Sequence, residues 1–197
     1  LPGVGKNFHD HLDITIIYES LSRNTLDRQD SFWPSLRHGA ELLLFRRGLI
    51  ASTPAQAAAY VRSDPAIDIP DVSLHFLPGG VLDHGRKPVD GHNITFHNNV
   101  MRPRSRGEIR LASADPHAMP LIDPNYAADP YDMQVMIACV RWARRIMATD
   151  AMKPYAGREK YPGPDVQTDA EIAAYVRDYA ETDYHPVGSC KMGHDPL

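Results

Sequence analysis

Two hydrophobic periodicities divide this chain, and their order restricts the folds open to it. Up to residue 111, several runs carry apolar side chains at every second position, with helical propensity confined to stretches within 36–63; from residue 129 apolar side chains recur at every third or fourth. Ile14, Ile16 and Tyr18 alternate with Thr15 and Ile17 in a β-branched run that reads as a strand. Val72, Leu74 and Phe76 alternate with Ser73 and His75, and Pro78-Gly79-Gly80 ends that strand. Ile94, Phe96, Asn98 and Val100 repeat the pattern, and Ile109 and Leu111 supply a shorter one. Strands grouped before helices predict an α+β layer architecture.

The helices carry their own punctuation. Asp129 caps one with Pro130 at its first position, and Met133, Met136, Ile137, Val140, Ala143 and Met147 form its apolar stripe. Arg144 and Arg145 sit at its negative end. Thr168-Asp169-Ala170-Glu171 is a capping box opening a second helix that buries Ile172, Tyr175, Val176 and Tyr179. Earlier, Leu36, Ala40, Leu43 and Leu44 share a helical face that stops near Gly48. Thr53-Pro54 followed by alanines also favours a helix within 51–63. The basic stretch Arg102-Pro103-Arg104-Ser105-Arg106-Gly107 predicts an antiparallel hairpin joining the strands at 94–100 and 109–111. Residues 115–130, rich in proline and aspartate, read as ordered loop.

At 197 residues and 43% apolar content, the chain has enough material for one core. A net charge of −4 with interspersed signs gives no nucleic acid a reason to bind. Cys139 and Cys190 lie far apart, one in a helical stripe, which argues against a disulfide framework and for a reducing compartment. No apolar run approaches the roughly 18 residues needed to cross a bilayer, and no signal peptide is visible. The expected location is cytoplasmic, or peripheral to the inner membrane. Because the chain opens Leu1-Pro2-Gly3 and closes His194-Asp195-Pro196-Leu197, it reads as a segment of a longer protein, with part of any active site outside it.

The most chemically suggestive stretch is Tyr184-His185-Pro186-Val187-Gly188-Ser189-Cys190-Lys191-Met192-Gly193. Pro186 keeps His185 off helical backbone. Gly188 and Gly193 permit tight turns, and Ser189 and Cys190 leave room for a flat ring. An imidazole there suits a general base beside a planar cofactor. Alone, a histidine before proline is more often structural than catalytic. Gly3-x-Gly5 lacks the third glycine, the preceding strand and the following helix of a dinucleotide fingerprint. His9-Asp10-His11 has no neighbouring ligand cluster to complete a metal shell, so no metal is expected, and Asp10 is suited to accept backbone N–H bonds in a turn. A hydrolase built on His9, His11 and His185 is disfavoured by ligand spacing. Arg102 to Arg106 either grip an anion or form a solvated turn. His75 and His97 sit on strands, where a histidine is more often a hydrogen-bonded core residue than a catalytic one.

Taken in order, four stretches resemble one family. Leu1-Pro2-Gly3-Val4-Gly5-Lys6-Asn7-Phe8-His9-Asp10-His11, the run Arg104-Ser105-Arg106-Gly107 with Ile109-Arg110-Leu111, Pro120-Leu121-Ile122-Asp123-Pro124-Asn125-Tyr126, and His185-Pro186-x-Gly188-x-Cys190-x-Met192-Gly193 are similar to segments of the glucose–methanol–choline (GMC) flavin oxidoreductases. Ser189 replaces the commoner threonine. The resemblance implies an antiparallel sheet backed by helices that roofs an FAD, without the Rossmann-like FAD domain. Residues 1–11 would end the FAD-associated part, 12–183 would form the substrate-binding domain, and 184–197 would begin a truncated catalytic segment. The glycine-rich nucleotide motif and a second catalytic histidine or asparagine would lie outside this chain. It further implies His185 as catalytic base, cofactor contacts from Asn7, Asp10, Pro186 and Gly188, and a pocket using His75, Phe76 and Arg102.

The same resemblance makes residues 57–62 a strand, against their helical propensity, and that expectation is preferred. His75-Phe76-Leu77-Pro78 with Asp83-His84-Gly85-Arg86-Lys87 looks most like the acceptor-dependent alcohol dehydrogenases, with choline dehydrogenases as the alternative. Choline would need an aromatic and acidic box, to which Trp33, Tyr60 and Phe76 are candidates. The implied partners are an alcohol, a quinone or oxygen as electron acceptor, and the FAD-binding part of the same polypeptide. A non-catalytic isolated domain is the rival reading, and the segment alone is expected to be inactive.

Overall fold

The computed structural model describes residues 2–194. Along the chain run β1 (Leu12–Ser20), α1 (Phe32–Phe45), β2 (Ala57–Val61), β3 (Val72–Leu77), β4 (Asn93–Val100), β5 (Glu108–Arg110), β6 (Leu121–Asp123), α2 (Pro130–Met147), β7 (Ala156–Tyr161), α3 (Asp169–Tyr179) and β8 (Glu181–Thr182). Six strands make one antiparallel sheet in the order β2-β3-β4-β1-β7, with β8 sharing an edge of β1. β5 and β6 form a separate ribbon. The architecture is α+β, an antiparallel sheet backed by helices, as the order of periodicities predicts.

Strand register sorts side chains between two faces, because neighbours across a ladder point the same way. Phe96 pairs with Ile16 and Phe76, and Asn98 pairs with Ile14 and Leu74. That face is covered by α2 and α3, whose Val135, Met136, Val140, Ala143, Ile172 and Val176 complete the core. Asn98 is the polar exception, and its side-chain amide donates to the Cys139 carbonyl at 2.9 Å. The other face carries Asp13, Thr15, Ser73, His75, His97 and Asn99. No helix covers it.

Both helix starts follow their caps. Asp129 accepts from the Tyr131 N–H at 2.8 Å with Pro130 opening α2, and Thr168 and Glu171 close a reciprocal box at α3. Arg144 forks onto Glu159 at 2.7 and 3.0 Å, tying α2 to β7.

Ala57–Val61 is a strand, as the preferred expectation has it, because pairing with β3 outweighs the modest helical preference of alanine. Two other local expectations are corrected. β4 and β5 do not form a hairpin. β4 is paired on both edges, by β1 and β3, so β5 turns away to pair with β6 inside the expected loop. Finally, Tyr179 of α3, expected to be buried, lies at 39% exposure, and Leu36, Leu43 and Leu44 on the shared face of α1 are exposed. α1 does form, but its apolar face has no partner among the described residues.

Candidate active site

The opening segment is held between two others by backbone bonds. Gly5 N–H donates to Ser189 O, and His9 and Val187 exchange bonds at 3.0 and 2.8 Å. On its other side Phe8 and Gly107 exchange bonds, and Ile109 N–H reaches Gly5 O at 2.7 Å. The glycines are required by contact. A Cβ on Gly107 would lie 1.9 Å from Asp123 O, and one on Gly188, where φ is +90°, would lie 2.2 Å from Asn7 O. The fourth stretch joins through Asn125, which donates to Arg106 O at 2.9 Å, and Tyr126, whose hydroxyl donates to Asp10 at 2.6 Å. All four motif segments therefore meet at one corner of the molecule.

Asp10 organises this corner. Its carboxylate accepts from Thr182, from Tyr126 and from the His185 backbone N–H at 2.9 Å. Burial alone would raise its pKa, but these bonds and one from the His11 backbone outweigh it and hold the carboxyl below its usual range. Burial and the adjacent Asp10 carboxylate push the Tyr126 phenol up to about 12.

His185 leaves β8 through Tyr184, which sits at φ +58°. Its Nδ1 lies 3.2 Å from Asp183 Oδ2 and 3.4 Å from His11 Nδ1, and the two rings meet edge to face at 84°. His11 Nε2 lies 3.0 Å from Met101 O, and Asn99 donates to Asp183 Oδ2 at 2.7 Å. The side chain of His185 is 58% exposed, and Val187 and Met192 beside it in sequence are uncovered. The ring is thus contacted at Nδ1 while more than half of the side chain remains exposed.

A second histidine–carboxylate pair lies on the same sheet face. His97 bonds the buried Asp13 across the β1–β4 ladder. Burial would lower the His97 pKa, but the hydrogen bond and charge of Asp13 prevail and raise it. Asp13 Oδ1 and Asn99 Oδ1 are buried acceptors without a partner among the described residues. Nearby, His84 pairs with Glu181 at 3.0 Å.

The sequence-derived candidates scatter more than expected. Pro186 is exposed beside His185, whereas Asn7, Asp10 and Gly188 are engaged inward and shape the segment. His75 and Phe76 are consecutive on β3 and point to opposite faces, so they do not line one pocket. Phe76 packs edge to face on Phe96 and borders an apolar cavity of about 280 Å³ under α2. Arg102 donates to the carbonyls of Ile69 and Pro70. Arg102, Arg104 and Arg106 of the basic stretch are exposed, and each also contacts protein groups. Arg104 stacks 3.7 Å over the Tyr131 ring, and Arg106 bonds Asn7 and Pro103. His9 Nδ1 is taken by Asn7 O, so the set His9, His11 and His185 does not converge. Sequence reasoning missed Asp183 and Asp13. The only signal for Asp183 was a carboxylate two residues before the candidate base, on a strand end.

Residues 103–197 match the model of the GMC oxidoreductase family. Over 197 residues the chain is 45% identical to an alcohol dehydrogenase [acceptor] of Pseudomonas putida, covering all of this chain and 36% of that protein. It is 42% identical over 193 residues to oxygen-dependent choline dehydrogenase 1 of Chromohalobacter salexigens, covering 98% and 34%. The chain thus spans about a third of the length of these curated relatives. Among solved structures, a formate oxidase variant of Aspergillus oryzae superposes with a TM-score of 0.84 at 21% identity, covering 96% of this chain and 38% of that one. Pyridoxine 4-oxidase from Mesorbium loti gives 0.77 at 24%, covering 100% and 35%. Both describe the fold.

Proposed function

The chain belongs to the GMC oxidoreductase family, and from that premise we propose that it is the substrate-side portion of an FAD-dependent enzyme that oxidises a primary alcohol to an aldehyde, with His185 as general base. The observation that carries this reading is the placement of the His185 ring. Its Nδ1 lies beside Asp183 and His11, while the side chain as a whole is 58% exposed next to the uncovered Val187.

The segment that follows His185 fits the ring end of a flavin. Pro186 and Val187 are exposed and bear no charge, and small residues follow them. The phosphate end finds no cradle among the described residues, since Gly5 is packed against Ile109 O. The rest of the polypeptide would hold that end. Bound FAD supplies the hydride acceptor, at flavin N5.

His185 Nε2 takes the hydroxyl proton of the alcohol as the carbon–oxygen double bond forms and the carbon-bound hydrogen leaves with its electron pair. General-base assistance of this kind contributes roughly 10²–10⁴-fold in rate. The sheet face behind His185 adds polar groups, and β8 and the Asp10 bonds hold the residue's backbone in place. The names of the similar curated proteins support a CH–OH substrate. A primary alcohol is favoured over choline, because Tyr60 and Phe76 lie on opposite faces of the sheet and Trp33 stands exposed on α1. Quinone or oxygen would reoxidise the cofactor.

In the full-length enzyme, His185→Ala is expected to leave FAD bound and to slow flavin reduction by at least about a hundredfold. Rapid mixing with the alcohol that bleaches the flavin fastest measures this. Near-normal reduction overturns the assignment of His185.

A further inference from the structure

We infer that Asp183 is a positioning residue that sets the tautomer of His185, so that Nε2 carries the free lone pair; the inference rests on the reading of His185 as base. The argument begins at Met101, whose carbonyl oxygen only accepts hydrogen bonds. It lies 3.0 Å from His11 Nε2, so that nitrogen carries the hydrogen and, in the neutral ring, His11 Nδ1 carries a lone pair. That lone pair faces His185 Nδ1 at 3.4 Å, and Asp183 Oδ2 faces it at 3.2 Å. If His185 Nδ1 were bare, three lone-pair atoms separated by 3.2, 3.4 and 4.0 Å would converge with no hydrogen among them. A hydrogen on His185 Nδ1 resolves the conflict, and Asp183 is its nearer acceptor. The bond made by one ring nitrogen thus decides the state of the other.

Asp183 is itself fixed. Asn99, buried in β4, donates to Oδ2 at 2.7 Å, and the Asp183 backbone N–H donates to His11 O at 3.1 Å. The His185 backbone N–H is held by Asp10 at 2.9 Å. The base is therefore fixed at its backbone by Asp10 and at its ring by Asp183. As the ring gains a proton at Nε2, the adjacent carboxylate stabilises the resulting imidazolium.

The test is a double-mutant cycle in the full-length, FAD-loaded enzyme, reading flavin reduction by rapid mixing. The probe is the fastest-bleaching alcohol from a set of straight-chain primary alcohols and choline. Asp183→Ala is expected to slow reduction by about tenfold or more and to change the substrate Kd by less than about threefold. In a His185→Ala background the same substitution should cost less than about twofold, because its effect passes through His185. Equal losses in both backgrounds, or no loss in the single variant, overturn the inference. Should the alanine variant fail to bind FAD, Asp183→Asn, which keeps the shape, enters the same cycle with the same criteria. If His185→Ala itself reduces normally, the assignment of the base fails instead, so the two failures are told apart.

Discussion

The corner built from the four motif segments and the outer face of α1 are opposites in how they are specified. At the corner, glycines abut backbone carbonyls, and carboxylates of Asp10 and Asp132 collect hydrogen bonds from other segments. On α1, Phe32, Trp33, Leu36, Leu43, Leu44 and Phe45 are exposed, and His38 is the one helix residue that is buried. The difference separates two kinds of constraint. An amphipathic stripe requires that something apolar lie beside it and leaves the partner open. A buried carboxylate with three donors, or a glycine against a carbonyl, admits one geometry.

The contrast breaks first at Gly107. Its Cβ would sit 1.9 Å from Asp123 O and 2.6 Å from the Pro124 carbonyl carbon, with only backbone to yield. Gly107→Ala is expected to cost about 3 kcal/mol or more, at the upper end for overpacking, which corresponds to a Tm loss of roughly 6–12 °C for a chain of this size. A scanning calorimetry shift under 2 °C would show that the corner deforms as freely as a surface loop. Asp132 comes next. It accepts from Arg104 N, Ser105 N and Ser105 Oγ at 2.8, 2.9 and 2.5 Å and is 1% exposed. Asp132→Ala orphans those donors and should cost about 2–3 kcal/mol in urea unfolding. An unchanged midpoint would remove the carboxylate from the structural account of the corner.

These two regions also mark what the sequence made legible. Helix α2, its Asp129 cap and its stripe were readable because the 3.6-residue period and the cap are local. Strands β1, β3 and β4 were readable because their two-residue alternation is equally local, whereas β2 was expected only from the resemblance and β7 and β8 were not read as strands. The pairing of β5 was not, since nothing in Ile109-Arg110-Leu111 says which edges of β4 are already taken. His185 was visible through its motif. Its dependence on Asp183, His11 and Asn99 was not, because those residues are brought together by the β1–β8 and β1–β4 ladders. His75 and Phe76 were grouped in one pocket although two consecutive strand residues point to opposite faces.

A smaller effect at the corner depends on pH. The carboxyl of Asp10 titrates in the folded protein below its usual 3.8, despite burial, because hydroxyl and backbone donors favour the charged form. A group depressed on folding contributes stability that is fully present above its unfolded value and is lost as pH falls through its folded value. Asp10→Asn should therefore lower Tm at pH 7 and approach the wild type below pH 3.8. A Tm difference that stays constant from pH 7 to pH 3 would mean that Asp10 acts by shape alone.

The smallest effect belongs to α1 and tests the other half of the comparison. Leu43 is 83% and Leu44 73% exposed, so replacing either removes little apolar area from the folded chain's interior. Leu43→Gln and Leu44→Gln should each change the stability of this chain by no more than about 0.5 kcal/mol, a Tm shift of roughly 2 °C or less, as for ordinary surface positions. Glutamine keeps nearly the same helix propensity as leucine, so the helix itself is not taxed by the change. A loss of several degrees would mean that this stripe is covered in the folded molecule and that α1 is constrained by a partner surface. It would then resemble the motif corner in being specified by contact, and the distinction between the two regions would fall.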